Sequence, residues 1–397
     1  MPPKKLKSSR ATNIATAAAV AACEDLMLCV LARLPVKSII RFKSVCKSWN
    51  HLLSTQEFVK LQFKLSSESK NQSFLVRTVD WKRRNTISVF NIESNEKKAK
   101  ILDNSLNYTP VGFKIVGCCR GLVCIGIGQG FILWNPAMNL SKVVSPLKDH
   151  GVFESASLGF GYDAEGDDFK VVRIVFLKKK SVMCVSWVEV YSVNSDSWTT
   201  INPGFQFSEL LIYWIDNNVT VNGNPYWFGM VDKFDVIKDF LICFDMSKLV
   251  FKIVPLLSLD YNVAQLDLKF VDLNGSLGAL VFTWAEDEDI YSENWNQENE
   301  ERIEYVDYWV FDDGEQIWTK SRRVGPIEVK MGRVLRSLKD GRILSRCPKG
   351  QLIVFNTETN LVKGLFNVGH EFGIYDYTAS LAYIQGMEKV TLRERWH

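Results

Sequence analysis

Residues 24–63 read EDLMLCVLARLPVKSIIRFKSVCKSWNHLLSTQEFVKLQF, and this stretch decides how the rest of the chain is organised. Apolar residues recur in it at the three- and four-residue spacing of a helix. Pro35 separates the first apolar stripe from the second, because the residue before a proline disfavours the α conformation. Ser54 followed by Glu57 has the spacing of a capping box, which predicts that a last short helix begins there. The stretch is therefore predicted to form three or four short helices.

The helical stretch holds more apolar side chains than it can bury by itself. They crowd a segment of about 40 residues, which is near the lower size limit for a self-sufficient core. Fully burying one such side chain is worth roughly 1.5–3 kcal/mol, so leaving several exposed is costly. Two interpretations remain open: the next domain of the chain covers the surplus apolar surface, or another protein covers it.

The residues from Leu31 to Trp49, LARLPVKSIIRFKSVCKSW, carry a family resemblance. Leu-Pro at 34–35, Val-Lys-Ser at 36–38 and Val-Cys-Lys-Ser-Trp at 45–49 closely resemble the F-box, in particular that of plant F-box proteins. The resemblance implies a helical module that docks on a Skp-type adaptor of a cullin–RING ubiquitin ligase.

The same resemblance implies which side chains meet the adaptor. The predicted adaptor-binding residues are Leu26, Leu31, Leu34, Pro35, Val36, Ile40, Cys46 and Trp49. For some of them, Trp49 above all, the alternative is a place in the core of the module.

Composition limits the protein classes that fit. A length of 397 residues allows two or three domains, and 47% apolar with 23% charged residues is typical of a globular protein. A net charge of +3 without zinc-finger or RNP spacing does not favour nucleic acid binding. Nine cysteines without a CxxC pair favour neither a zinc site nor a disulfide framework. Reduced thiols are expected of a protein of the cytoplasm and nucleus.

From about Ser73 onward, short β runs alternate with turns rich in Asn, Asp and Gly. One hairpin pattern, an apolar strand ending in an aromatic residue and followed by a polar turn and a second strand, recurs at 88–102, 131–147, 188–201, 241–254, 308–320 and 352–366. This repeat fits the blades of a β-propeller and predicts about six of them.

The remaining β runs complete the predicted ring. Inner strands are expected between the hairpins, at 121–128, 169–177, 222–230, 275–284 and 340–345. A last strand around Tyr377–Ile384 is predicted to pair with the first blade and close the ring, which removes the exposed strand edges. The predicted fold is thus a multidomain α+β chain, a small all-α module followed by an all-β propeller. Its predicted parts are a basic, alanine-rich disordered tail at 1–22, the F-box at 23–66, the propeller at 73–385 and a C-terminal tail at 386–397.

Several segments of the propeller region carry a second resemblance. GCCRGLVCI at 117–125, ILWNPAMN at 132–139 and VEVYSVNSDSW at 188–198 resemble the F-box-associated domain of plant F-box proteins, which is related to kelch propellers. The resemblance implies that this domain holds the protein to be ubiquitylated. The repeat itself forms blade core, so it does not identify the substrate-binding residues.

No pattern in the sequence indicates catalysis. Gly126 to Gly130 has the look of a phosphate loop, but a strand rather than a helix follows, so a hairpin turn is predicted. Four histidines share no metal-binding spacing, and no G-x-S-x-G nucleophile elbow occurs. The acidic stretch from Glu286 to Asp307 is predicted to be a solvated loop, with a docking surface for a basic partner as the alternative. No metal or cofactor is predicted.

The two resemblances together imply a non-catalytic substrate receptor of an SCF-type ubiquitin ligase. Its expected partners are a Skp-type adaptor, through it a cullin and a RING protein, and an unidentified protein substrate, with neither membrane nor nucleic acid. One alternative is an interaction scaffold that uses the F-box outside a ligase. A metal-dependent propeller oxidoreductase is a third class, which the scarcity of histidines disfavours.

Overall fold

The structure is a computed structural model of the chain. It describes residues 26–69, 72–79, 85–92, 100–101, 114–127, 130–146, 155–179, 182–202, 211–233, 236–257, 267–284, 303–327, 334–347, 350–368 and 372–389.

Four helices form the N-terminal module, as the apolar spacing predicts. They are α1 at 26–32, α2 Val36–Phe42, α3 Lys47–Leu52 and α4 Gln56–Ser67. Pro35 is the N-cap residue of α2, with φ −56° and ψ 140°, so it ends α1 and precedes the next helix. The cap of α4 is Thr55, whose hydroxyl accepts a 3.3 Å hydrogen bond from the N–H of Phe58. The sequence predicts Ser54 as the capping residue, and the structure has the cap one residue later.

The rest of the described chain forms the six antiparallel blades of a propeller. They make five sheets, because a short pairing of β10 with β12 joins the third and fourth blades into one sheet. The first blade contains β1 Ser73–Val79, β2 Asn85–Asn91 and β3 Lys100–Ile101, and the second contains β4 Lys114–Cys119, β5 Leu122–Ile127, β6 Gly130–Asn135 and β7 Leu140–Val144. The third contains β8 Ser155–Asp163, β9 Asp168–Lys179, β10 Val182–Ser192 and β11 Ser197–Ile201, and the fourth contains β12 Leu211–Val221, β13 Asn224–Lys233, β14 Val236–Asp245 and β15 Val250–Val254. The fifth contains β16 Asp267–Leu273, β17 Ser276–Trp284, β18 Ile303–Asp312 and β19 Ile317–Val324, the sixth contains β20 Val334–Ser337, β21 Ile343–Arg346, β22 Gln351–Phe355 and β23 Val362–Asn367, and the last strands along the chain are β24 Phe372–Tyr377 and β25 Glu388–Lys389.

The six predicted hairpins are confirmed as the two outer strands of each blade. The predicted inner strands are the second strands of the second to sixth blades, and the innermost strands, β4, β8, β12, β16 and β20, were not predicted. Ring closure is confirmed, because β24 pairs with β1 from Ser73 opposite Tyr377 to Thr78 opposite Phe372. The closing strand nevertheless ends at Tyr377, where the predicted strand begins.

The aromatic residue of each hairpin lies in the core. The six residues that recur at this position are all buried: Phe90, Trp134, Tyr191, Phe244, Phe311 and Phe355. Two tryptophans of the outermost strands join neighbouring blades. The indole N–H of Trp198 donates to the carbonyl oxygen of Ser145 at 2.9 Å, and that of Trp318 donates to the carbonyl oxygen of Pro255 at 2.7 Å. The aromatic repeat therefore stabilises the ring and is not a ligand-stacking surface.

The turns from the first to the second strand and from the third to the fourth strand of each blade share one end of the propeller, the turn end. Every described non-glycine residue with positive φ lies in one of these turns, and most of them are Asn or Asp. Asn and Asp tolerate the left-handed conformation better than other residues, which explains the Asx-rich turns of the repeat. The segment 378–389, here called the strap, follows β24 at the turn end, and β25 within it adds a fifth strand to the second blade.

Candidate functional site

Three large apolar side chains of the helical module are exposed. Leu26 is 67% exposed, Val30 56% and Val45 63%. Leu26 and Val30 lie four residues apart on α1, so they share one side of that helix. Exposing such side chains is costly, and neighbouring exposed apolar groups, unlike single ones, mark surfaces that bind a partner. These three residues are called the exposed apolar set.

The structure divides the predicted adaptor-binding residues between surface and core. Leu26, Pro35 and Cys46 are exposed, Leu34, Ile40 and Trp49 are partly buried, and Leu31 and Val36 are buried. The ring of Trp49 packs edge-on against Phe42, with centroids 5.6 Å apart, as expected of a core residue. In the free chain, the first three are open to a partner, the next three are open only in part, and the contacts of all eight remain a prediction.

Two exposed residues of the module were not among the predicted contacts. Val30 could have been found, because its spacing from Leu26 places both on one side of α1. Val45 gives no such signal, since it lies in the connection before α3. Beside it, the exposed thiol of Cys46 lies 3.2 Å from the hydroxyl of Ser48, and this hydrogen bond lowers the pKa of the thiol.

The opposite side of the module is closed by the propeller. Phe58 and Gln62 of α4 are 2% and 1% exposed, and Leu381 of the strap, at 1%, belongs to the same apolar cluster as the module core. The Nε2 atom of Gln62 donates to the carbonyl oxygen of Ala379 at 3.5 Å. Intramolecular packing, one of the two interpretations of the apolar surplus, is therefore confirmed for this side.

The strap is held to the second blade by buried polar groups. Asn135 is fully buried, and its Nδ2 atom donates to the carbonyl oxygens of Ser380 at 3.1 Å and Ala382 at 2.8 Å. The hydroxyl of Ser380 donates to the carbonyl oxygen of Arg120 at 2.7 Å. A Cβ atom on Gly121 would lie 2.2 Å from that hydroxyl, and φ there is +82°, so glycine is required. The strap therefore packs closely against the second blade.

An ion pair and an aromatic contact extend this junction to the third blade. The Nζ atom of Lys60 on α4 lies 2.5 Å from a carboxylate oxygen of Asp167 in the β8–β9 turn. Hydrogen bonds from Lys60 and from the Tyr162 hydroxyl hold the pKa of Asp167 below its ordinary value. The guanidinium of Arg120 in the second blade lies 5.8 Å from the ring centroid of Phe63 on α4 and 3.7 Å from that of Tyr162 in the third blade. The module therefore contacts two blades as well as the strap.

Metal-ligating side chains are scattered over the described residues. No cluster of three or more His, Cys, Asp or Glu side chains with metal-binding geometry occurs among them. Gly126 lies in β5 and Gly130 begins β6, and these two strands pair antiparallel, as expected of a hairpin. Residues 128–129 between them lie outside the described residues. His51 lies on α3, whereas His150, His370 and His397 lie outside the described residues. Within the described chain, no helix has the length and hydropathy needed to cross a membrane.

The predicted acidic loop is corrected at its C-terminal end. Its residues up to 302 lie outside the described chain, but Asp307 is a buried residue of β18. Its carboxylate accepts hydrogen bonds from Lys320 and Arg323, both at 2.7 Å, on the neighbouring strand β19. Asp307 is part of a strand-to-strand ion pair because burial of a carboxylate requires partners of opposite charge.

Comparison with known proteins agrees with the two-part architecture. The family model of the F-box domain matches residues 23–61, and that of the F-box associated beta propeller domain matches residues 77–307. F-box protein At5g36730 of Arabidopsis thaliana is 31% identical over 245 residues, which cover 56% of this chain and 57% of the relative. F-box/kelch-repeat protein At3g23880 of the same plant is 26% identical over 246 residues, covering 58% and 64%.

The matched stretch thus covers little more than half the length of the first relative. Among solved structures, the tricorn protease aligns with a TM-score of 0.37 and 9% identity, covering 77% of this chain and 30% of that one. The propeller match spans more than half of the chain, and it follows an F-box that is seated on the propeller by α4 and the strap. The chain belongs to the family of F-box proteins with an F-box associated beta propeller domain.

Proposed function

We propose that this chain is the substrate receptor of an SCF-type ubiquitin ligase, in which the F-box binds a Skp-type adaptor and the propeller binds the protein to be ubiquitylated. The observation that carries the proposal is the exposed apolar set, Leu26, Val30 and Val45, on a module whose other side is already closed by the propeller. The adaptor, and through it the cullin and the RING protein, is the partner that covers this set.

The junction supports the proposal, because a receptor has to hold its substrate in a defined place. The module is fixed to the ring by the buried contacts of Gln62, Leu381 and Asn135. A substrate on the propeller is then kept at high effective concentration near the ubiquitin-conjugating enzyme that the ligase recruits. In this role the chain itself performs no bond chemistry.

Substrate binding is proposed for the end of the propeller opposite the turn end. At the turn end, α4 and the strap cover the β4–β5 and β8–β9 turns through Arg120, Asp167 and Ser380. The opposite end carries the connections between second and third strands, and such connections vary while a scaffold stays fixed. Affinity capture with the proteasome inhibited, followed by mass spectrometry, identifies the bound substrate.

Replacing Leu26 by Asp tests adaptor binding. A charge that becomes buried without a partner costs several kcal/mol, so adaptor affinity is expected to fall by about two powers of ten or more. Leu361→Asp is the matched control, because Leu361 is 69% exposed on the propeller and Leu26 is 67% exposed on the module. Leu34 is a poorer position for this test because it packs against the module core.

The Leu26→Asp protein is expected to keep its substrate but to lose its ubiquitylation. Unchanged adaptor binding with an unchanged melting curve contradicts the proposal. An adaptor pull-down that recovers no cullin favours instead a scaffold acting outside a ligase.

The cytoplasm and the nucleus are the proposed locations, since the nine cysteines include no CxxC pair and those of the described residues that are characterised are free thiols, which fits a reducing compartment. Imaging of a fluorescent fusion in living cells tests this, and a fusion confined to the secretory pathway contradicts it.

A further inference from the structure

A cavity of about 530 Å³ lies where the helical module meets the propeller. Its apolar lining comes from three parts of the chain: Val59 and Phe63 of α4, Met138 and Phe169 of the second and third blades, and Leu381 and Ile384 of the strap. Cavities of roughly 300–1,000 Å³ at domain interfaces are typical sites for small molecules. The space is therefore large enough for a compact organic ligand.

The cavity carries an excess of positive charge. Lys43, Lys60 and Arg120 line it together with one carboxylate, that of Asp167. Asp167 is already engaged by Lys60 at 2.5 Å and by the Tyr162 hydroxyl. Two of the three cations are therefore left without a carboxylate partner of their own.

Among these cations, Lys43 most clearly lacks an anionic partner within the part of the chain that the structure describes. Its side chain is half-buried, and among the described residues no ion pair or side-chain hydrogen bond involves its ammonium group. Burial lowers the pKa of Lys43, in line with an ammonium group that is partly removed from water. The guanidinium of Arg120 stacks on Tyr162 and forms no ion pair within the described chain. A buried cation is costly unless an anion compensates it.

An apolar cavity lined by three cations and a single carboxylate is complementary to an amphipathic anion. The flat apolar part of such a molecule would pack on Phe63 and Phe169, and its anionic group would accept charge-assisted hydrogen bonds. The volume favours a small molecule over a folded partner, because folded partners need wide interfaces rather than a cavity of this size.

We propose that this cavity is a binding site for a small organic acid, a carboxylate, sulfonate or phosphate on an apolar aromatic body, with Lys43 holding the anionic group and Arg120 adding a second positive charge. Both the module and the propeller line the site, so its occupation stabilises the junction between them. The site does not depend on the proposed ligase role.

The test uses the full chain and two fluorescent probes with the same aromatic body. The probe 8-anilinonaphthalene-1-sulfonate carries an anionic group, and N-phenyl-1-naphthylamine lacks it. Replacing Lys43 by Gln is expected to weaken binding of the sulfonate about tenfold or more, as expected for loss of a charged hydrogen bond. Lys43→Arg retains the charge and is expected to stay within about threefold of the parent, less than the tenfold step of one such bond.

Lys37→Gln is the matched control, since Lys37 is an exposed lysine of α2 outside the cavity. It is expected to leave the affinity for the sulfonate unchanged, and the neutral probe is expected to respond to none of these changes. Equal affinity of the parent and the Lys43→Gln protein for the sulfonate overturns the proposal. So does loss of sulfonate binding in a Leu26→Gln protein, because the probe then occupies the exposed apolar set.

Discussion

The two sides of the helical module differ in how far their side chains are exposed to solvent. On α1, Leu26 and Val30 are more than half exposed, whereas on α4 Phe58 and Gln62 are almost fully buried against the strap. Both sides come from one stretch of about 40 residues, which is too short to bury all of its apolar groups alone. The surplus apolar surface is therefore divided: one part is covered within the chain, and the other part is left open.

The largest effect is expected from deletion of residues 372–397. This removes β24, the innermost strand of the first blade, and with it the strap that covers α4. An open blade edge and an uncovered α4 expose backbone and apolar groups together, so no soluble, cooperatively melting monomer is expected. Size-exclusion chromatography and thermal melting measure this. Deletion of 390–397 is the control, and equal melting of both truncated proteins shows that the closed side of the module does not need the strap.

A smaller effect is expected from Leu381→Ala. The side chain is 1% exposed between α4 and the second blade, and truncation of a buried leucine costs about 2–5 kcal/mol. Leu361→Ala, at a residue that is 69% exposed, is expected to change the free energy of unfolding by about 0.5 kcal/mol or less. Denaturant unfolding compares the two. Equal midpoints contradict the view that the strap belongs to the module core.

An intermediate effect is expected at Asp163, which lies within the ring at the end of β8, whereas Asp167 of the same β8–β9 connection lies at the junction. Asp163 is buried, and burial alone raises its pKa, but hydrogen bonds from Lys170 and Ser247 outweigh this and lower the pKa to about 2. Since the folded-state pKa lies below the unfolded value, the stabilisation is complete above about pH 4 and is lost as the pH falls towards 2.

Asp163→Asn is therefore expected to lower stability by about 2 kcal/mol at pH 7 and to flatten the acid limb of the stability curve. Unfolding free energies measured from neutral to acid pH test this. An acid limb identical to that of the parent protein shows that the ring does not depend on this carboxylate.

The smallest effect is expected at the ion pair of Lys60 with Asp167. The two side chains are 51% and 38% exposed, so water and salt screen their attraction. Lys60→Ala is expected to cost less than about 1 kcal/mol, and the difference is expected to vanish near 1 M salt. Lys64→Ala, on the same helix and outside any described ion pair, is the control. An effect that persists at high salt means that Lys60 stabilises the junction by packing.

The sequence predicts the ring well, because its blades are made of local hairpins. Six buried aromatic residues from Phe90 to Phe355 mark the repeat, and each hairpin pairs strands that are close in the chain. The innermost strands escape prediction because they are short or mix polar with apolar residues, as in DLKFVDL at 267–273. Their apolar alternation is too weak to separate them from loops.

The junction could not be predicted, because its contacts join distant parts of the chain. Lys60 meets Asp167 across 107 residues, and Asn135 meets Ser380 across 245. Spacing rules report neighbours on one helix or strand and give no signal for such pairs. For the same reason, the sequence did not show which of the predicted adaptor-binding residues, such as Leu31 and Val36, are buried in the free chain.

The position of the strap near the end of the sequence has a consequence for folding during synthesis. α4 emerges from the ribosome long before Leu381, which covers it, and at about 5–20 residues per second the interval is roughly half a minute. Throughout that interval both sides of the helical module are open, and the first blade lacks β24. Until β24 and the strap have been synthesised, a nascent chain therefore exposes apolar surface that a chaperone, or a partner bound early to α1, would cover.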